Sequence, residues 1–261
     1  MPKENLYDYV SLPDREKRIK IRNDYFNFIM LSVQNKDFNI PINIDLGSST
    51  IHDVLTPFHM QRVREYSCAI NDELLALDFF YTALIHTYDN YLTDQRDGFY
   101  RQFLKLFAEA YVSKFVSIYM KVFLTVINIT DVRELHTSDK MKFGSSYKMF
   151  KDKMKKIRQH CTNYPTLDNL CKALEKMRNI LLDSGFEEIR NNAIHNISNF
   201  DSLVRFSHEN EYGALVTGAQ ALSSFSQVIE NKDVCEALST LMENYQKLLE
   251  EIVSQYKEVL S

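Results

Sequence analysis

Apolar positions recur at three and four residues over most of this chain. The first long run opens at Thr56-Pro57 and continues to Tyr91 through Val63, Tyr66, Ile70, Leu74, Leu77, Tyr81, Leu84, Ile85 and Tyr88. That spacing predicts a helix with a cap residue and a proline in its first turn. Asp94 to Gly98 breaks the pattern, and Phe99 to Ile129 resumes it. Two helices of about 30 residues joined by a short polar turn make an antiparallel hairpin. This hairpin is the expected scaffold.

The flanking stretches are shorter. Residues 1–13 are polar, and from Asp14 the positions Ile19, Ile21, Tyr25, Phe28, Ile29 and Leu31 fit an amphipathic helix to about Val33. Phe38 to Ile51 alternates with period two up to Gly47 and predicts an extended segment lying across the helices. Thr130 to Ser146 is polar and predicts a loop. Tyr147 to Cys161 carries six basic residues against Asp152 alone. After the break at Tyr164-Pro165, Leu167, Leu170, Leu174, Met177, Ile180 and Leu181 predict a helix from Thr166 to Leu182, stopped by Asp183-Ser184-Gly185. A short helix follows, with Phe186, Ile189, Ala193 and Ile197 on one stripe. Phe200 to Gly218 is mixed, with a turn or short hairpin about Tyr212 to Val216. Last comes a heptad-like seam: Val234, Leu238, Leu241, Tyr245, Leu248, Ile252, Gln255 and Val259. It either packs on the hairpin within one chain or joins two chains.

These elements predict an all-α helical bundle with minor extended segments. The division expected is an N-terminal arm, helix and extended segment over 1–55 and a bundle over 56–261, or one continuous domain over 1–261. Composition agrees: glycine and proline total 11 of 261 residues, too few for frequent turns. The apolar run Tyr111 to Ile129 is long enough to raise a membrane question, but Lys114 and Lys121 interrupt it. A central bundle helix in a cytoplasmic protein is the expectation, with no membrane span and no secretory signal in the polar Met-Pro-Lys-Glu-Asn start.

A formal charge of −4 excludes a whole-protein polyanion binder, so any nucleic-acid surface must be local. Lys151, Lys155, Lys156 and Arg158 are the candidates for it, against the alternative of a solvated helix face. Cys68, Cys161, Cys171 and Cys235 form no C-x-x-C pair, and no histidines stand at ligand spacing, so no metal and no cofactor is expected. No phosphate-binding glycine loop occurs.

The chemistry concentrates in Gly185-Phe-Glu-Glu-Ile-Arg190-Asn191-Asn192-Ala193-Ile194-His195. It places a permanent cation, a carboxamide and a side chain that titrates near neutrality within six residues. On a helix Asn191 and His195 lie within about 40° of each other, and Arg190 about 140° from His195. One copy of the segment therefore reads as half a site. Of 12 arginines, Arg190 alone is followed by a histidine with four to six residues between them, and the residue after it is asparagine.

Arg190, Asn191 and His195 spell R-N-x-x-x-H, which resembles the Arg-x(4–6)-His motif of the HEPN superfamily of helical ribonucleases and toxins. The resemblance covers the motif and its helical setting from about Thr56 onward. It implies a bundle that dimerises so that two motifs face each other across a composite cleft. It further implies metal-free cleavage of RNA and a role in prokaryotic defence, as an abortive-infection effector or as a toxin beside an antitoxin or companion subunit. Ile197 stands where some toxin subfamilies carry a tyrosine, and Asn196 where another carries a second histidine. The alternatives are a catalytically inactive helical module that binds RNA or protein, and an interaction scaffold built on the C-terminal seam. The plainer reading of the motif itself is that Arg190 pairs with Glu187 or Glu188 on a helix surface and His195 is a satisfied interface histidine.

Overall fold

The computed structural model describes residues 20, 23, 58–93, 98–129, 154–159, 164–195, 225 and 227–260. The described residues are almost entirely helical, without a strand among them, which establishes the all-α class. Five helices carry them: α1, Phe58–Thr93; α2, Gly98–Ile129; α3, Pro165–Asp183; α4, Phe186–His195; and α5, Lys232–Leu260. Residues 154–159 add a short helical stretch, and Lys20 and Asn23 are helical. The remainder of 14–33, the extended segment, the loop at 130–146 and the mixed stretch at 200–218 lie outside the described residues.

The helices begin and end within a residue or two of the sequence expectation, and the causes are local. Tyr164 ends the preceding stretch in an extended conformation and offers no side-chain cap, while Pro165 starts α3 with its φ already helical. The cap comes instead from α5, where the Glu251 carboxylate accepts from both the Thr166 N–H and the Thr166 hydroxyl. Free N–H groups at a helix start are thus met by an anion, the favoured charge there.

Residues of α1 and α2 meet at particular points. Glu73 meets Ser117 and Lys121, and Tyr81 stacks on Tyr111 with ring centroids 5.5 Å apart. The two lysines that interrupt the apolar run of α2 are both engaged. Lys121 Nζ donates to Glu73 Oε1 at 2.6 Å and to Ser117 Oγ at 2.7 Å. Lys114 Nζ stands 6.0 Å over the Phe80 ring, within reach of its negative face. Phe103–Ile129 has the length and apolarity of a membrane span, and 61% of its most apolar window is buried inside the protein.

The chain divides into two compact units, each assembled from three stretches. The first comprises Met1–Phe38, Ala76–Lys114 and Gly185–Asn231. Its described core includes Leu77, Leu84, Leu104, Phe107, Tyr111, Phe186, Ile189 and Phe225. Phe79, Phe80, Phe103 and Phe107 cluster in it, with neighbouring ring centroids 5.3 to 6.4 Å apart. The second comprises Asn39–Leu75, Phe115–Ser184 and Lys232–Ser261. Here α3 packs along α5.

In the second unit the seam from Val234 to Ile252 is buried within the chain. Val234, Leu238, Leu241, Tyr245, Leu248 and Ile252 are all buried, and so are Ala237, Met242 and Leu249 beside them. The stripe is wider than a two-stranded coiled coil requires, as expected of a helix laid against a core. Tyr245 closes it with a polar lock: its hydroxyl lies 2.5 Å from Ser67 Oγ and donates to Thr125 Oγ1 at 3.3 Å. Burial pushes this phenol up to about 12.

Candidate functional site

Helix α4 begins after a two-residue turn. Ser184 caps α3, its N–H donating to Ile180 O at 2.9 Å and its hydroxyl to Leu181 O at 3.3 Å. Gly185 follows with φ of +72°, in the left-handed region that a side chain makes costly. The Ile189 N–H then donates to Gly185 O at 2.9 Å and closes the first turn of α4. Phe186 and Ile189 anchor the helix in the first unit, at 1% and 7% exposure. Glu187 and Glu188 occupy the first turn, where the helix dipole favours negative charge.

The polar residues Arg190, Asn191 and Asn192 lie off that buried stripe. Arg190, Asn191 and Asn192 are half-buried, and Ile194 is exposed. Arg190 Nη1 donates to Asn191 Oδ1 at 3.1 Å. The guanidinium and the carboxamide are therefore one unit, although neighbours on a helix point about 100° apart. With Oδ1 so occupied, the Asn191 amide presents its Nδ2–H groups as donors. His195 is the last residue of α4, one turn beyond Asn191, and its side chain lies outside the described residues. Among the described residues Arg190 forms no ion pair with Glu187 or Glu188, so the surface-pair alternative is not what the helix adopts.

The basic stretch separates into different kinds of residue. Met154 and Ile157 are buried, leaving Lys155 and Lys156 exposed on the outer side of the helical stretch 154–159. Arg158 turns back onto α3: its Nε lies 3.1 Å from Asp168 Oδ1 and its Nη1 3.4 Å from Glu175 Oε1. Lys172 Nζ reaches Asp168 Oδ2 at 2.6 Å, and this bond, with the nearby charges of Lys172 and Arg158, holds the Asp168 carboxyl below the usual carboxylate range. Arg158 thus anchors the stretch to α3. Lys151 lies outside the described residues. Lys155, Lys156 and Arg158 belong to the second unit; Arg190, Asn191 and His195 belong to the first.

Two buried acids escape a reading of the sequence. Asp78 in α1 is 6% exposed, its Oδ1 has no hydrogen-bond partner, and burial pushes its carboxyl above the ordinary range. Glu187 in α4 is 8% exposed, and its Oε2 has no hydrogen-bond partner. Glu187 stands in no motif, and the sequence places it only four residues before Asn191. Among the described residues no three His, Cys, Asp or Glu side chains gather as a metal would require. In comparisons with known proteins, no family model, no curated protein and no solved structure matches the chain.

Proposed function

We propose that this chain is a metal-independent endoribonuclease of the HEPN type, with Arg190, Asn191 and His195 as its reactive set. The observation that carries the reading is the bond between the Arg190 guanidinium and the Asn191 carboxamide, off the buried stripe of α4 and one turn before His195. Cleavage of RNA without a metal needs proton transfer at the 2′-hydroxyl and at the 5′-oxygen, and charge compensation at the phosphorus between them. Histidine transfers protons near pH 7, typically for a gain of roughly 10² to 10⁴-fold. A guanidinium meets two phosphate oxygens at once and binds more strongly as charge builds on them. Locked to Asn191, it loses less rotamer freedom when phosphate arrives.

The products are a 2′,3′-cyclic phosphate and a 5′-hydroxyl. The proposed form is a homodimer in which two α4 segments share one cleft, acting in the cytoplasm as a defence or toxin effector beside a companion or antitoxin subunit. A second reading, favoured by the exposed Lys155 and Lys156, is a silent module that binds RNA or a partner protein. The test is cleavage of labelled single-stranded and structured RNA in EDTA. Cutting by the wild type, lost in His195→Ala and Arg190→Ala with RNA affinity held within a few-fold, supports the nuclease. Binding without cutting, weakened and made less salt-dependent by Lys155→Ala or Lys156→Ala, supports the silent module.

A further inference from the structure

We propose that the helical stretch 154–159 and α3 form one phosphate-binding surface for single-stranded RNA, on which Lys155, Lys156 and Lys176 contact the backbone and Arg158 is a positioning residue that touches none of it; this rests on RNA being the substrate, as in the nuclease reading above. All of these residues belong to the second unit.

Burial decides which side chains look outward. Met154 and Ile157 are buried, and Lys155 and Lys156 each stand about 130° from the middle of that stripe. On α3 the buried positions include Leu167, Leu170, Leu174 and Met177, while Asp168, Lys172, Glu175 and Lys176 fall within about 100° of arc on the other side.

Arg158 links the two elements by bracketing two of those acids. Its Nε lies 3.1 Å from Asp168 Oδ1 and its Nη1 3.4 Å from Glu175 Oε1, and Lys172 Nζ reaches the second Asp168 oxygen at 2.6 Å. Two cations thus balance two carboxylates. The Nε and Nη2 atoms of Arg158 are buried, so its guanidinium is committed to α3 and presents no fork to a phosphate. The bracket serves RNA by removing a repulsion, because bare Asp168 and Glu175 would stand on the same side of α3 as Lys176. Lys155, Lys156 and Lys176 then set the sign of this surface, in a chain whose formal charge is −4.

The kind of partner follows from the rest of the surface. Among the described residues of the stretch and of α3 as far as Asn179, no large hydrophobic side chain is exposed. Leu182 and Asp183, both exposed, end it. Protein partners are held by an apolar centre and meet few lysines, whereas nucleic-acid contacts are polar and positive. Lysine amines on long stems hold phosphates as point charges and follow a flexible strand without reading its bases.

The test uses the full chain. A surface that reads phosphates ignores the 2′-hydroxyl, so a labelled single-stranded DNA, which 2′-hydroxyl attack cannot cut, is the binding probe, with RNA of the same sequence followed for cleavage in EDTA. Replacing Lys155, Lys156 and Lys176 together by glutamine should lower the slope of log affinity against log salt by about 2, at about 0.7 per phosphate contact on a single strand. The advantage of the wild type should accordingly shrink by roughly 20-fold between 50 and 200 mM salt. For RNA the triple variant should raise KM and leave kcat unchanged. A control in which Lys20, Lys105 and Lys232 become glutamine carries the same change of net charge and should keep the wild-type slope. Arg158→Gln should weaken binding, and adding Asp168→Asn and Glu175→Gln should return it to within a few-fold of wild type. A wild-type slope in the lysine variant, or an equal loss in the control, overturns the surface. Failure of the two neutralised acids to rescue Arg158→Gln overturns its positioning role. Competition by polyglutamate of matched charge as strong as that by DNA marks a site for acidic protein and overturns it as well. RNA cut with an unchanged KM by the lysine variant overturns the surface and leaves the nuclease reading standing. Binding without cutting by the wild type does the reverse, and neither binding nor cutting overturns both.

Discussion

Tyr245→Phe tests how a hydroxyl is held in the α5 core. Four polar contacts meet there: Ser67 Oγ to Val63 O at 2.8 Å, Thr125 Oγ1 to Lys121 O at 2.9 Å, and Tyr245 Oη to each of those two hydroxyls. Three hydroxyl hydrogens cannot fill four contacts. The arrangement that satisfies Tyr245 fully is a relay in which Ser67 donates to Tyr245, Tyr245 to Thr125 and Thr125 to Lys121 O. Ser67 can fall back on Val63 O, so removing the phenol oxygen strands no donor. The cost at neutral pH is therefore that of one to two ordinary hydrogen bonds, about 1 to 2 kcal/mol, rather than of an orphaned group. The alkaline side sharpens the test. Burial raises the phenol from 10.0 to about 12. A raised phenol gives stability that is complete below pH 10 and is lost as pH climbs toward 12. The loss is about 1.4 kcal/mol by pH 11 and about 2.7 kcal/mol beyond pH 12. Phenylalanine has no such stability to lose, and every other titrating group is common to both chains. Urea unfolding of both at pH 8 and 11 should find the wild type ahead at the first and level at the second. A gap that stays constant between them, or a variant as stable as wild type at pH 8, would refute the relay and the burial argument together.

Three further substitutions probe other features. Asp78→Asn should raise stability at pH 7 by about 1 kcal/mol, since it replaces a buried carboxylate whose Oδ1 has no partner. Burial raises the Asp78 carboxyl, so the stability that depends on its neutral form is present in acid and lost as pH rises through its folded pKa. The advantage of Asn should accordingly shrink toward acid, and thermal melts at pH 4 and 7 read it. Lys121→Met strips the cation from partly buried Glu73 and should cost about 1 to 3 kcal/mol. Adding Glu73→Gln should return part of that, and strict additivity in the double-mutant cycle would show that the pair is not coupled. Gly185→Ala meets nothing within 4 Å of its new Cβ, so its cost is the left-handed backbone alone, about 1 to 2 kcal/mol. Gly185→Asn should cost less, and equal melting temperatures for glycine and alanine would contradict the φ of +72°.

Helical periodicity made α1, α2, α3 and α5 legible because each buries a continuous stripe, from Val63 to Leu84 in one case and from Val234 to Ile252 in another. The short α4 was legible from its stop at Gly185 and its anchors Phe186 and Ile189. Whether the α5 seam served this chain or a second one was beyond periodicity, which reports a buried face and not what covers it; α3 and the Tyr245 relay supply the cover. Arg190 and Asn191 were singled out by chemistry, but their bond depends on side-chain rotamers that no spacing encodes. Arg158 was grouped with the lysines by charge alone, and its pairing with Asp168 and Glu175 needed a helix that the sequence does not place beside it. Glu187 and Asp78 look like any other exposed acid in the sequence, since burial against the trend of a residue type arises from tertiary packing.

The interleaving of the two units bears on how the protein is made. Residues up to Asn231 contribute to the first unit, and the second takes its last stretch from Lys232–Ser261. A chain growing from its N-terminus therefore exposes α1 and α2 long before the partners of either half exist. Arg190 and His195 are synthesised ahead of α5, so during translation they precede much of the second core. Both cores close on contacts between distant parts of the chain, which slows folding and leaves apolar surface uncovered meanwhile.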